Sequence, residues 1–262
     1  MTDQPQIRFD DGAAYEQMMG AWSRLVGEVF IDWVGPDSQL RWIDVGCGNG
    51  AFSQLVFDRC DPAHLTGLDP SEGQLAYARS RLSGRSAKFI RGDAMDLPFE
   101  NGSFDAAAMA LVIFFVPTPA KAVAEMARVV RPGGVVATYG WDITGGGLPM
   151  ETISSELHSL GVNPPLPPNP DAASITSLQG LWSGAGLSDI EARQIVVQRR
   201  FVDFDEFWRV NSIGPAAQTF AALTSEKTNA LKSRLRERLR FDASGQVICD
   251  ARANAIKGRV PV

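Results

Sequence analysis

The chain has 262 residues, a formal net charge of -5, 45% hydrophobic and 21% charged residues, a balance that suits a folded globule and excludes a disordered chain. It offers no basic field for nucleic acid, and no apolar run reaches the roughly 18 residues a membrane span needs. Cys47, Cys60 and Cys249 stand in no disulfide or metal-ligand spacing and the start MTDQPQIRFDDG is polar, so the expectation is a cytoplasmic protein that holds no metal.

Tyr15 to Val34 carries Met18, Trp22, Leu25, Val29 and Trp33 at three- or four-residue steps, the stripe of an amphipathic helix interrupted at Gly20. Leu40 to Val45 reads as a strand buried on both faces, and Ala51 to Arg59 has helical spacing with Phe52, Leu55 and Val56 on one side. Between them lies Asp44-Val45-Gly46-Cys47-Gly48-Asn49-Gly50. Glycines at a hand-over from strand to helix let a ligand approach unpaired backbone N–H groups, which marks a nucleotide-like site. Gly46, Gly48 and Ala51 also satisfy the loose dinucleotide pattern, so an NAD-binding oxidoreductase is one reading of this turn.

Strand-like and helix-like runs then alternate: His64–Leu68, Ser71–Leu82, Ala87–Arg91, Phe104–Leu111, Pro119–Val130 and Val135–Tyr139. Such alternation is that of a doubly wound, mostly parallel α/β sheet with helices on both faces. Ala106 to Val116 is continuously apolar, a central strand that runs into an apolar pocket wall of Ile113, Phe114, Phe115 and Val116. Beyond Tyr139 come a glycine-rich stretch, Thr144 to Leu148, and a proline-rich one, Asn163 to Pro170, so residues 142–172 read as a cover with one helix, Met150–Leu160. A helix over Ser174–Ala185, an extended run Asp189–Val197, a helical stretch Asp203–Arg240 and a strand Val247–Ala255 follow, the two strands suited to a hairpin that closes the sheet edge. Lys232, Arg234, Arg236, Arg238 and Arg240 alternate with Leu231, Leu235 and Leu239, and read as the solvated face of a helix whose leucines are buried.

Asp69 lies 19 residues after Gly50 at the end of the second strand. In parallel sheets ligands bind at the carboxyl ends of strands, so its carboxylate is placed to accept from both hydroxyls of a ribose; capping the next helix is a compatible role. Gly92-Asp93-Ala94-Met95 follows the third strand, with an acid suited to accept from an adenine amino group and an apolar side chain beside it. A dinucleotide fold has no required place for that acid.

IDVGCGNG, GLDPS, GDAMDLPF, SFDAAAMALV and RPGG, in this order, resemble the class I S-adenosylmethionine-dependent methyltransferases, closest to the small-molecule branch that includes the ubiquinone and menaquinone biosynthesis type. The resemblance is strong over residues 40–140, and Tyr15, Met19, Gly20, Trp22, Ser23 and Arg24 are similar to an N-terminal helix of that branch. It implies a Rossmann-like, seven-stranded sheet with helical cover insertions in a single domain over 1–262. Residues 1–36 would be a helical cap, 37–141 the cofactor-binding core, 142–172 and 203–240 the acceptor cover, and 187–197 and 247–255 the edge strands. It implies S-adenosylmethionine as cofactor and a small-molecule methyl acceptor. Gly46, Gly48 and Gly50 would lie against methionine and ribose, oriented by Asp44, and Asp69 would hold the ribose hydroxyls with Pro70 or Ser71 beside adenine. Asp93, Ala94 and Met95 would receive adenine, Ala110 and Leu111 would flank the methionine part, and Tyr15 and Arg24 would close over it, Arg24 on the carboxylate.

A sulfonium methyl is already activated, so the site must chiefly align the acceptor and exclude water. Phe114 and Phe115 stand where many relatives carry a histidine, which puts base-assisted O-methylation at that position in doubt. Phe114, Phe115 and Trp141 are the expected substrate-pocket residues; Asp142, Tyr139 and His158 are the candidate catalytic groups, and an acceptor that brings its own nucleophile is the alternative. A non-catalytic protein that binds S-adenosylmethionine also remains open.

Overall fold

The computed structural model describes residues 16–213 and 217–262; Tyr15 lies outside them. Eight strands are β1 (Arg41–Val45), β2 (His64–Asp69), β3 (Ala87–Arg91), β4 (Phe104–Ala110), β5 (Val130–Trp141), β6 (Ser188–Phe201), β7 (Arg240–Phe241) and β8 (Val247–Arg259). Seven form one sheet in the order β3-β2-β1-β4-β5-β8-β6, and β7 pairs with the start of β8. β1 to β5 run parallel, whereas β8 is antiparallel to both β5 and β6. The expected hairpin therefore exists, but β8 is an interior strand; of the two, β6 alone lies at an edge, which corrects the placement of 247–255.

The helices are α1 (Ala21–Val34), α2 (Ala51–Cys60), α3 (Glu72–Arg81), α4 (Pro119–Val129), α5 (Glu151–Ser159), α6 (Ile175–Gly184), α7 (Phe204–Asn211), α8 (Ala217–Ala221) and α9 (Ser225–Arg238). A π-helical turn, Glu16–Gly20, leads into α1, so the chain changes pitch at Gly20 instead of breaking there. The buried stripe of α1 is Trp22, Val26, Phe30, Ile31 and Val34, while Val29 turns outward. Gly35, left-handed, stops the helix by donating to Ile31 O at 3.0 Å.

Successive residues of β5 show the two faces of the sheet. Tyr139 packs beneath α1 and α2 against Phe30 and Phe52, with ring centroids 4.6 and 5.9 Å away. Gly140 meets Phe114 and Ala173 on the opposite side, where Trp182 of α6 donates to Val136 O at 3.1 Å. With helices on both faces, four of the five residues of β1 are buried, which is why the strand is apolar without alternation.

The RPGG segment is built into β5 instead of preceding it. Phe104 pairs with Val130 and Ala106 with Val135, so Arg131 to Gly134 bulge out of the ladder. A side chain at Gly134 would strike Val130 and Asp105 O. The largely helical stretch expected over 203–240 consists of α7, α8 and α9. Asp203 accepts from Glu206 N at 2.7 Å and Glu206 from Val202 N at 2.6 Å, a reciprocal cap that starts α7, and Thr224 caps α9.

The two expected cover segments pack on each other through α5 and α9. Ile153 and Leu157 on one, Leu231 and Leu235 on the other, are buried, each such side chain contributing about 1.5–3 kcal/mol on transfer from water. Glu156, 5% exposed, accepts from Arg238 and lies 3.6 Å from Arg234. Lys232 sits over the Trp208 ring, Arg236 over Phe204, and Arg240 pairs with Asp250. The basic row is thus only partly a solvated face: its leucines are buried as expected, yet each of its cations is engaged within the fold. Among the described residues no helix is long and apolar enough to cross a membrane.

Candidate functional site

The carboxyl ends of β1 to β4 converge on the turn at 46–50. Leu68 O accepts from Gly46 N at 2.7 Å and Cys47 N at 3.0 Å, tying the turn to β2, and Gly50 N donates back to Cys47 O at 2.9 Å. All three glycines have positive φ, but their surroundings differ. A Cβ at Gly46 would lie 2.6 Å from Val112, and one at Gly50 3.0 Å from Ala78. One at Gly48 would meet nothing within 4 Å. Gly46 and Gly50 let protein approach protein, whereas Gly48 faces open space in which a ligand can reach the backbone.

Asp69 buttresses that turn. One carboxylate oxygen accepts from Gly48 N at 3.0 Å and the other from Ser71 N at 2.8 Å, leaving one acceptor position on each. The helix cap is Ser71 itself, whose hydroxyl accepts from Gln74 N, so the capping role does not fall to Asp69. Asp69 is 9% exposed, and burial raises its pKa against the two backbone hydrogen bonds that lower it. Asp44, 1% exposed, accepts from Ser53 Oγ at 2.6 Å while its Oδ1 has no hydrogen-bond partner among the described residues. Burial, and to a lesser degree the charge of Asp69, push its pKa up to about 7. Neither carboxylate pairs with a lysine or arginine among the described residues.

Asp93 accepts from Met95 N at 2.8 Å and is exposed at the end of β3. Gly92 N donates to Asp69 O, joining this end to that of β2. The segment beyond is gripped by Arg128, which donates to Leu97 O and Phe99 O and pairs with Glu125, itself an acceptor from Leu97 N. Ala110 is half-buried, and Leu111 adopts φ +61° while donating to Tyr139 O, a costly conformation for a side-chain-bearing residue, held by the neighbouring strand. Pro70 and Ser71 are exposed beside the turn.

Other expectations are corrected. Arg24 points away from the buried stripe of α1 and pairs with Glu28 at 3.0 Å, 74% exposed. Tyr139 is buried aromatic packing under α1. His158 is exposed, and its Nδ1 lies 2.7 Å from Ser154 O of its own helix. Asp142 is buried but already paired, with Arg252 Nε at 2.8 Å and Arg252 Nη2 at 2.7 Å, inside the glycine-rich loop that wraps it. Trp141 and Phe114 are buried; Phe115 is half-buried and crosses Phe114 edge-on with centroids 4.7 Å apart. Asn169 donates from its backbone N to Phe114 O and from its side chain to Val116 O, so the proline-rich segment is fastened to this wall. Val112, which packs on Gly46, is a turn-shaping residue that its neighbours Phe114 and Phe115 overshadow in the sequence.

Residues 43–138, the stretch that makes this crevice, match the family model described as a methyltransferase domain. Over this stretch the chain is similar to that methyltransferase domain. Over 115 residues it is 35% identical to the ubiquinone/menaquinone biosynthesis C-methyltransferase of Roseobacter denitrificans, covering 42% of this chain and 46% of that protein. The chain thus spans less than half the length of this curated relative. The fold of the chain is similar to that of a crystal structure described as a putative methyltransferase from Bacillus halodurans, with a TM-score of 0.60, 16% identity, and 90% of this chain and 99% of that one covered. It also matches a Haemonchus contortus phosphoethanolamine N-methyltransferase solved with phosphomonomethylethanolamine and S-adenosylhomocysteine, with a TM-score of 0.60 and 19% identity over 95% of this chain and 56% of that one. The NAD-binding reading of the turn finds no support in these relatives.

Proposed function

We propose that this protein transfers a methyl group from S-adenosylmethionine to a small-molecule acceptor. The observation that carries the reading is the pair of buried carboxylates, Asp44 and Asp69, set without a cationic partner around an open glycine turn. Two such groups disfavour a pyrophosphate and favour a ligand bearing sulfonium and ammonium charge. The free acceptor positions of Asp69 suit ribose hydroxyls. Asp93, Ala94 and Met95 suit an adenine edge and face, Pro70 and Ser71 flank it, and Ala110 and Leu111 border the methionine part together with Gly46, Gly48 and Gly50. When bound, S-adenosylmethionine supplies a methyl group activated on sulfonium sulfur.

The chain's own contribution is alignment and exclusion of water. Phe115 and Val112 offer apolar surface after β4, with Trp141 and Phe114 behind it, and the packed α5–α9 pair supports 142–172 and 203–240 as the acceptor cover of one domain spanning 1–262. Asp142 is held by Arg252, Tyr139 lies in the core and His158 faces solvent, so the acceptor that suits this site brings its own nucleophilic atom. The free thiols fit a cytoplasmic setting. Titration calorimetry with S-adenosylmethionine tests the reading. Wild type is expected to bind in the micromolar range and Asp69→Ala at least tenfold more weakly; absence of binding by a folded wild type sinks the cofactor assignment.

A further inference from the structure

Resting on the cofactor reading above, we infer that binding of a cationic cofactor at the glycine turn expels a proton from Asp44, so that occupancy of the site depends on pH. Asp44 closes β1 inside the fold, hydrogen-bonded by Ser53 of α2, with Oδ1 bare among the described residues. The titratable groups that bear on it are Asp69 from the end of β2 and the buried thiol of Cys47 in the turn. Arg79 of α3 bears on Cys47 and makes its own contacts with Glu72 and Phe89 O. The thiol stays neutral, since burial raises it well above its ordinary range. Burial and Asp69 therefore oppose charge on Asp44, and Ser53 alone favours it, which sets its titration at about 7.

A fixed positive charge in the same turn reverses that balance. The carboxyl O–H bond breaks, its electron pair stays on Asp44 as the carboxylate, and the proton passes to buffer. The sign follows from linkage: a carboxyl raised in the folded, ligand-free protein makes that state less stable as pH rises from its unfolded value through about 7. A cation that holds the carboxylate form removes this penalty. Affinity then climbs with pH up to neutrality and levels off above it.

Calorimetry of the full chain with S-adenosylmethionine, at pH 6 in two buffers of different ionisation enthalpy, counts the protons. Release of most of a proton is expected at pH 6 and less at pH 7, with affinity several-fold weaker at pH 6 than at pH 7. Asp44→Asn should bind with far less release and a flatter pH profile, while titration of the ligand's own amino group is common to both proteins. Binding by wild type with buffer-independent heat overturns the linkage but leaves the cofactor reading intact. Undiminished release in Asp44→Asn assigns the proton to another group and overturns it as well. Absence of binding in every buffer overturns both readings. If the variant fails to fold, a wild type that binds at pH 6 without releasing a proton still overturns the linkage.

Discussion

The crevice at the strand ends and the α5–α9 cover are held together in opposite ways. Around the crevice, backbone amides and carbonyls of neighbouring strand ends bind one another and the oxygens of Asp69, and the two buried acids make no ion pair among the described residues. In the cover, charged side chains far apart in sequence meet: Glu156 with Arg234 and Arg238, and Asp142 with Arg252 at its border. Geometry of the first kind is set by local backbone and leaves charge uncompensated for a ligand. Geometry of the second kind compensates its charges internally and serves to hold elements in place.

The largest effect that separates the two regions is expected at the glycines. Gly46→Val places a β-branched residue at positive φ against Val112 and should cost about 3 kcal/mol or more, read from urea unfolding. Gly48→Ala should cost only about 1 kcal/mol, from the backbone conformation, yet weaken S-adenosylmethionine binding at least tenfold by calorimetry. Equal stability losses without a binding difference would refute the assignment of Gly48 to the ligand and Gly46 to packing.

A smaller effect belongs to the cover. Glu156→Gln should lower stability by about 1–2 kcal/mol at pH 7, below the cost of a fully buried pair because both arginines are about half exposed. The arginines lower the pKa of Glu156. Its contribution is therefore complete above the ordinary glutamate range and fades as pH falls through the depressed value. Unfolding free energies of wild type and variant should converge in acid, and a gap that persists at the lowest pH would deny the ion pair its role. Cofactor affinity should be unchanged. The smallest effect is His158→Ala, which should move stability by less than about 0.5 kcal/mol and leave turnover intact. A hundredfold fall in kcat without loss of stability would restore it as a catalytic group.

Much of the crevice was legible in the sequence because its signals are local. Asp44, the glycines, Asp69 and Asp93 follow short apolar runs, and a parallel sheet brings the carboxyl ends of its strands to one edge. The N-terminal helix was legible as an element but not in its exposed residues: Arg24 takes a partner one turn away, Glu28. Tyr139, Asp142 and His158 share the same limitation. Position along the chain made each a candidate, and only the neighbours, Phe30, Arg252 and Ser154 O, show how each is engaged.

The sequence by itself determined the order of most strands and helices, the class of the fold and the place of the glycine turn at the strand ends, because period, glycine and strand-end acids act within a few residues. Tertiary structure alone decided that β8 enters the sheet beside β5, that the basic row of α9 clamps α5, and that Asp44 keeps a bare oxygen in the interior. These features depend on burial and on partners distant in the chain, and the free energy of a charge is set by its surroundings as much as by its residue type.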